Sequence, residues 1–142
     1  MNFVPSAEQL ASIFSQAAAP AFLIGGIAAF ISVLMGRLNG IVDRLRHLSD
    51  IADGDPVHGK YKADIPFLKR RASLLHRAAY LALLAGIATT LLLMLSVLSA
   101  FLKLQHLYGG GLLFGIATAL LSVALYKFAQ EVRLALVELD RY

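Results

Sequence analysis

Hydrophobic and polar positions are distributed along this chain in long blocks. No Asp, Glu, Lys or Arg occurs from Gln9 to Gly36, from Ala78 to Leu102, or from Leu104 to Tyr126. Each run reaches the ~20 apolar residues that a helix needs to cross the hydrocarbon of a bilayer. Nearly every face of these runs is apolar, so the solvent-facing stripe of a soluble bundle is missing. The pattern predicts an all-α integral membrane protein with three transmembrane helices, the first span covering residues 17–36.

The pattern changes period where the runs meet charge. From Arg37 onward, Leu38, Ile41, Val42, Leu45 and Leu48 recur on one side of a 100° wheel, so the first span is expected to continue as an amphipathic helix. Arg37 and Arg44 flank that stripe on one edge, while Asn39, Asp43, Arg46 and Asp50 lie beyond the other. After "DGDPVHGKYKAD", Asp64 is placed to cap a helix with Pro66 in its first turn. That helix enters the second apolar run through "FLKRRASLLHRAAYL". The third leaves the membrane as "YKFAQEVRLALVELDRY", with Lys127 and Glu131 at i,i+4 and Glu138 and Arg141 at i,i+3. The boundaries expected are 17–50 for the first helix, 51–64 for a loop, 65–103 for the second helix, 104–110 for a turn and 111–140 for the third. All three helices extend past the bilayer into a helical bundle, forming a single membrane domain over 1–142. Ahead of them, Ser6 and Gln9 fit a capping box, and residues 6–18 read as an interfacial helix turning at Pro20 or as an extension of the first span kinked there.

Composition and charge then set orientation. Of 142 residues 58% are hydrophobic and 15% charged, and the formal net charge is +4. Nine of the 13 Lys and Arg residues lie between Arg37 and Arg77, with Lys127, Arg133 and Arg141 after the third run and only Lys103 elsewhere. Basic residues concentrate on the cytoplasmic side, which predicts an external N-terminus, a cytoplasmic 37–77 segment, an outer turn near "KLQHLYGGG" and a cytoplasmic C-terminus. Topology accounts for the basic charge, and no nucleic-acid partner is expected. There is no cysteine, hence no disulfide and no thiolate metal site.

Candidate chemistry is sparse. The histidines at 47, 58, 76 and 106 are scattered, "DIADGDP" lacks calcium-loop spacing and reads as a turn, and "GGG" at 109–111 is not a phosphate loop. No catalytic constellation, metal or cofactor is expected, and the chain reads as non-enzymatic. The spans carry no ionisable residue away from the outer turn, and their Ser and Thr side chains are expected to bond their own helix backbone. Small residues step by four along each span: Ala17, Ala21, Gly25 and Ala29; Ala78, Ala82, Gly86 and Thr90; Gly111, Gly115 and Ala119. Such ladders permit close helix approach and point to a homo-oligomer.

The stretches "PAFLIGGIAAFISVLMG" with "RLNGIVDRLRHL", "KRRASLLHRAAYLALL" and "EVRLALVEL" together resemble a family of small bacterial three-span membrane proteins catalogued only as a domain of unknown function. The resemblance runs from about Pro20 to Leu139. It implies a bacterial inner-membrane, multi-pass protein and supplies no activity. Two functions are expected from different classes. One is a self-assembling scaffold or docking module for a cytoplasmic partner. The other is a homo-oligomeric ion channel with an arginine vestibule of Arg37, Arg44 and Arg46. An ion-pair clasp of Arg37, Asp43, Arg44, Arg46, Arg71, Arg77, Glu131 and Arg133 is also expected, with Asp43 bonded to Arg71 or Arg133 on its own level and Glu131, slightly nearer the membrane, bonded to Arg37, Arg44 or Arg77.

Overall fold

The computed structural model describes residues 4–102 and 107–140, with nothing said of the side chains at 107 and 108. Three long helices account for nearly all of it: α1 (Ala7–Ser49), α2 (Ile65–Leu102) and α3 (Leu107–Leu139), with a short 3-10 helix at Gly59–Asp64 ahead of α2. No strand occurs among the described residues.

α1 starts where its sequence supplies a reciprocal cap. The Ser6 N–H donates to Gln9 Oε1 at 3.0 Å and the Gln9 N–H to Ser6 Oγ at 3.2 Å, satisfying two donors that a helix start otherwise leaves open. The helix then runs through Pro20 without interruption. Residues 6–18 are therefore the beginning of the first long helix and not a separate interfacial one. Pro20 lacks an N–H for the i−4 carbonyl, and such a loss is tolerated in membrane helices, where neighbouring groups re-satisfy the freed carbonyl.

The 50–64 connection is organised by its own side chains. Gly54 takes φ +90°, a conformation that glycine enters without steric cost. Asp55 Oδ1 accepts from the N–H groups of Val57 at 2.8 Å and His58 at 3.1 Å, an Asx turn. The helix boundaries differ from expectation chiefly at α3. It begins at Leu107, so Gly109, Gly110 and Gly111 are helical residues and not part of an outer turn. Lys103 and residues 104–106, where the rest of that turn was expected, lie outside the described residues, as does Arg141.

At 43, 38 and 33 residues the helices are roughly 65, 57 and 50 Å long at ~1.5 Å per residue, against a hydrocarbon core of ~30 Å. Within their most apolar windows only 17%, 28% and 11% of residues are buried by the chain itself. So much outward apolar surface would aggregate in water. All three helices are long and apolar enough to span a membrane, and the fold is that of a membrane protein.

The described chain packs as two compact units, Met1–Phe30 with Ala82–Ser122, and Ile31–Leu81 with Val123–Tyr142. In the first, the apolar unit, the buried positions are mostly small: Ala82, Ala85, Ala88, Thr89 and Ala117, with Ile27, Leu92 and Pro20 as the larger ones. In the second, the charged unit, they are Leu34, Ile41, Leu48, Leu68, Leu75, Ala78, Ala79, Ala124 and one ionisable residue, Glu131. These positions repeat every seven residues along each helix: 20, 27, 34, 41 and 48 on α1, 68, 75, 82 and 89 beside 78, 85 and 92 on α2, and 117, 124 and 131 on α3. A seven-residue repeat is the spacing that keeps one seam of a helix facing its neighbours along a coiled coil.

Candidate functional site: an arginine and carboxylate clasp

Polar density in the charged unit converges on the Glu131 carboxylate, which is fully buried. The Arg37 guanidinium of α1 forks onto it, Nε donating to Oε2 at 3.0 Å and Nη2 to Oε1 at 3.1 Å. From α2, Arg71 donates through Nε at 3.0 Å and Nη2 at 2.8 Å, both to Oε1. The remaining Arg71 nitrogen, Nη1, donates to Glu138 Oε2 at 2.8 Å. The outer members are looser. Arg44 Nη1 lies 3.5 Å from Glu138 Oε1, and Arg44 Nη2 lies 3.9 Å from Asp64 Oδ2. The guanidinium carbon of Arg37 also sits 5.5 Å from the centroid of the Phe128 ring, a cation–π arrangement.

The helical period places these groups. Arg37 and Arg44, Glu131 and Glu138 are each seven residues apart, so each pair stays on one seam of its helix. Arg71 occupies the row continued by Ala78. Among the described residues, three guanidiniums (Arg37, Arg44, Arg71) meet three carboxylates (Asp64, Glu131, Glu138), so their charges balance. Burying a lone carboxylate is expensive, and charge-assisted bonds from two planar forks offset that cost. Exposure falls from Arg44, about half exposed, through Arg37, about a third, to Arg71 at 13%. The tight end is therefore Arg71–Glu131 and the soft end is Arg44. Glu138 Oε1, buried and without a hydrogen-bond donor among the described residues, is balanced only electrostatically by Arg44.

The residues expected in the clasp divide into two sets. Arg37, Arg44, Arg71 and Glu131 belong to it, and Glu131 reaches Arg37 as expected. Asp43 does not. It is exposed and, among the described residues, pairs only with Arg46 on its own helix, at 3.8 Å. Arg46 has no other ion-pair partner among the described residues, and Arg77 and Arg133 are exposed and make no ion pair with them. Equal depth along the axis was the wrong criterion, because Asp43 has the right depth and the wrong azimuth. Nor does Lys127 hold Glu131, although the i,i+4 spacing would allow it. Sequence reasoning omitted Asp64 and Glu138 from the clasp. The signal available for Glu138 was its seven-residue spacing from Glu131, matching that of Arg37 and Arg44.

The small-residue positions also divide. Ala82 is fully buried, and a Cβ added at Gly86 would meet Ile27 at 3.6 Å, so this part of the α2 ladder packs inside the apolar unit. Gly25, Ala29, Gly111 and Gly115 are exposed, and added Cβ atoms at the three glycines meet nothing within 4 Å. Thr89, Thr90, Ser96, Thr118 and Ser122 each donate to a carbonyl four residues back at 2.7–2.9 Å, as expected of hydroxyls in lipid. In the loop, Asp53 is held by Lys62 Nζ at 2.6 Å. The Lys62 ammonium, through hydrogen bond and charge, lowers the Asp53 pKa, and the backbone N–H groups of His58 and Val57 lower that of Asp55.

The family described as "Protein of unknown function (DUF2721)" matches residues 17–141. The chain belongs to this family. Every member of the clasp falls within the matched DUF2721 region. No curated protein and no solved structure matches the chain.

Proposed function

We propose that this DUF2721 protein is a non-enzymatic membrane scaffold that self-assembles through the outward small-residue faces of α1 and α3, in the cytoplasmic membrane of a bacterium, and presents its cytoplasmic helical extensions to a protein partner. The observation that carries the reading is the division of the ladders. On α2, Ala78 and Ala82 are buried and Gly86 is half-buried, leaving Thr90 outward, while Ala21, Gly25 and Ala29 on α1 and Gly111, Gly115 and Ala119 on α3 are exposed. Lipid offers no hydrophobic drive for helix association, so close backbone approach at small residues is the main resource available. The N-terminus outside, C-terminus inside orientation rests on the distribution of basic residues.

The channel reading draws less support. Its vestibule relied on Arg37, Arg44 and Arg46, and each faces a carboxylate: Glu131, Glu138 with Asp64, and Asp43. Positive charge that is locally compensated attracts anions weakly.

The test is the mass of the assembly in lipid nanodiscs. Gly25→Leu with Gly115→Leu is expected to shift oligomers to smaller species without unfolding the monomer, since neither glycine is crowded. A wild-type protein monomeric at every concentration would overturn the reading. A reporter after Tyr142 labelled outside, or one inserted between 103 and 106 labelled inside, would overturn the orientation.

A further inference from the structure

α2 carries no acidic residue anywhere in its length, and its outer face within the charged unit is of one sign. Leu68, Leu75, Ala78 and Ala79 are buried and Arg71 is held by Glu131 and Glu138. Between them Lys69, Arg70, Ser73, His76, Arg77 and Tyr80 are all exposed. Lys69, Arg70 and Arg77 make no ion pair with a described residue, and Glu131, Glu138 and Asp64 are engaged with other arginines. α1 differs, since its exposed Arg46 has Asp43 at hand.

The stripe has a direction. Tyr80 is 58% exposed, and beyond it the exposed residues of α2 turn apolar, with Leu83, Ile87, Leu91 and Met94. An exposed tyrosine between an apolar stretch and a basic one is the pattern of a residue at headgroup level. The same pairing occurs on α3, where exposed Tyr126 precedes Lys127. With Tyr80 at the edge of the hydrocarbon, Arg77 lies roughly 4–5 Å further along the axis and Arg70 roughly 15 Å. The headgroup layer is about 5–7 Å deep on each side.

We propose that Arg77 holds the phosphodiester of an anionic phospholipid headgroup, with Tyr80 setting its depth and Arg70 and Lys69 adding longer-range attraction. The guanidinium fork matches phosphate geometry, and among the described residues the acids of the clasp leave Lys69, Arg70 and Arg77 of α2 without an ion pair. A soluble acidic partner would centre on Arg70 and Lys69, away from the span; the placement of Arg77 beside Tyr80 favours lipid. The proposal does not require self-assembly, only that α2 crosses the membrane.

Native mass spectrometry of the full chain, released from nanodiscs of mixed phosphatidylglycerol and phosphatidylcholine with matched acyl chains, tests it on the monomer peak. Any failure of assembly then appears in the mass distribution and not in the lipid ratio. Wild type is expected to retain phosphatidylglycerol preferentially, and Arg77→Gln to reduce that preference about five-fold, the effect of one basic residue at an anionic surface. Arg70→Gln is expected to reduce it less, Arg46→Gln not at all, and Arg77→Lys to keep most of it. Melting of Arg77→Gln in phosphatidylcholine nanodiscs should match wild type, since Arg77 is exposed and makes no ion pair with the described residues of the clasp. Equal retention of the two lipids by wild type would overturn the proposal. So would a loss in Arg70→Gln as large as in Arg77→Gln, which would assign the stripe to a soluble acidic partner.

Discussion

The two units use the same seven-residue repeat and fill it with different chemistry. In the apolar unit the seam is mostly small, Ala82, Ala85, Thr89 and Ala117 beside Ile27 and Leu92, while in the charged unit it is mostly large, Leu34, Ile41, Leu48, Leu68 and Leu75 beside Ala78 and Ala124, closed by Arg37, Arg71 and Glu131. On the placement proposed above, with the apolar unit in lipid and the charged unit in water, the solvent explains the difference. Where the outside is lipid, moving a leucine from surface to seam gains little, and close approach of small residues provides the packing. Where the outside is water, burying leucine is favourable by ~25 cal/mol per Å², so large side chains belong inside. Charge follows the same logic in reverse, because ionised groups at the centre of a bilayer are costly and those in the clasp sit on the segments flanked by basic residues.

The comparison can be broken most directly at Glu131. Replacing it with Gln leaves Arg37 without its counter-charge and Arg71 with Glu138 alone, and stability in detergent should fall by about 3–5 kcal/mol, the cost of breaking one side of a buried pair. The partial exposure of Arg37 favours the low end of that range. Thr89→Val in the apolar unit, where the hydroxyl bonds only its own backbone, should be close to neutral. Similar losses in both variants, read by unfolding titration, would erase the distinction between the seams.

Next in size is Leu75→Ala in the charged unit, expected to cost about 2–5 kcal/mol through lost burial and a residual cavity. The matched change Leu92→Ala should cost less, because lipid competes for the same contacts. Equal costs would show that the apolar unit is also stabilised by exclusion of water. Ala82→Leu, overpacking a fully buried site, should cost about 1–3 kcal/mol, whereas Gly25→Leu should leave the melting of the monomer unchanged.

The soft end of the clasp gives a smaller effect. Arg44→Ala is expected to cost under about 1 kcal/mol, since its partners stand at 3.5 and 3.9 Å and its side chain is half exposed. Asp43→Asn should stay within about 0.5 kcal/mol. A larger loss at Asp43 than at Arg44 would restore it to the clasp.

The smallest effect is on the loop. Folded-state pKa values of Asp53 and Asp55 lie below the ordinary 3.8, so the order they confer is present above that value and is lost as pH falls through the depressed folded pKa. Carboxyl chemical shifts should show both groups titrating below pH 3.8. Lys62→Gln should return Asp53 toward the ordinary value and leave Asp55 where it is.

Much of the fold was legible because it depends on local, one-dimensional quantities. Three charge-free runs determine three spans, Ser6 and Gln9 determine where α1 starts, and Asp, Gly and Pro determine a turn between α1 and α2. The glycines at 109–111 misled, since glycine marks turns in water but enters membrane helices at little cost. Within the clasp, Arg37, Arg44, Arg71 and Glu131 were identifiable as charged residues just past the spans, while Asp43 and Arg133, of similar depth, were not separable from them.

By itself, then, the sequence determined that the chain is helical, that three helices are long and apolar enough to cross a bilayer, and that charge gathers at one end of each. Hydropathy, helical period and capping act within a few residues and need no knowledge of what lies beside them. Only the tertiary structure decided that Glu131 and Glu138, and not Asp43, receive the arginines of the other helices, and that Ala78 and Ala82 are buried while Gly25 and Gly115 face outward. Those outcomes turn on the azimuth of each helix against its neighbours. A rotation of one residue, 100°, moves a side chain from seam to surface at unchanged depth, and hydropathy averaged along the chain does not register it.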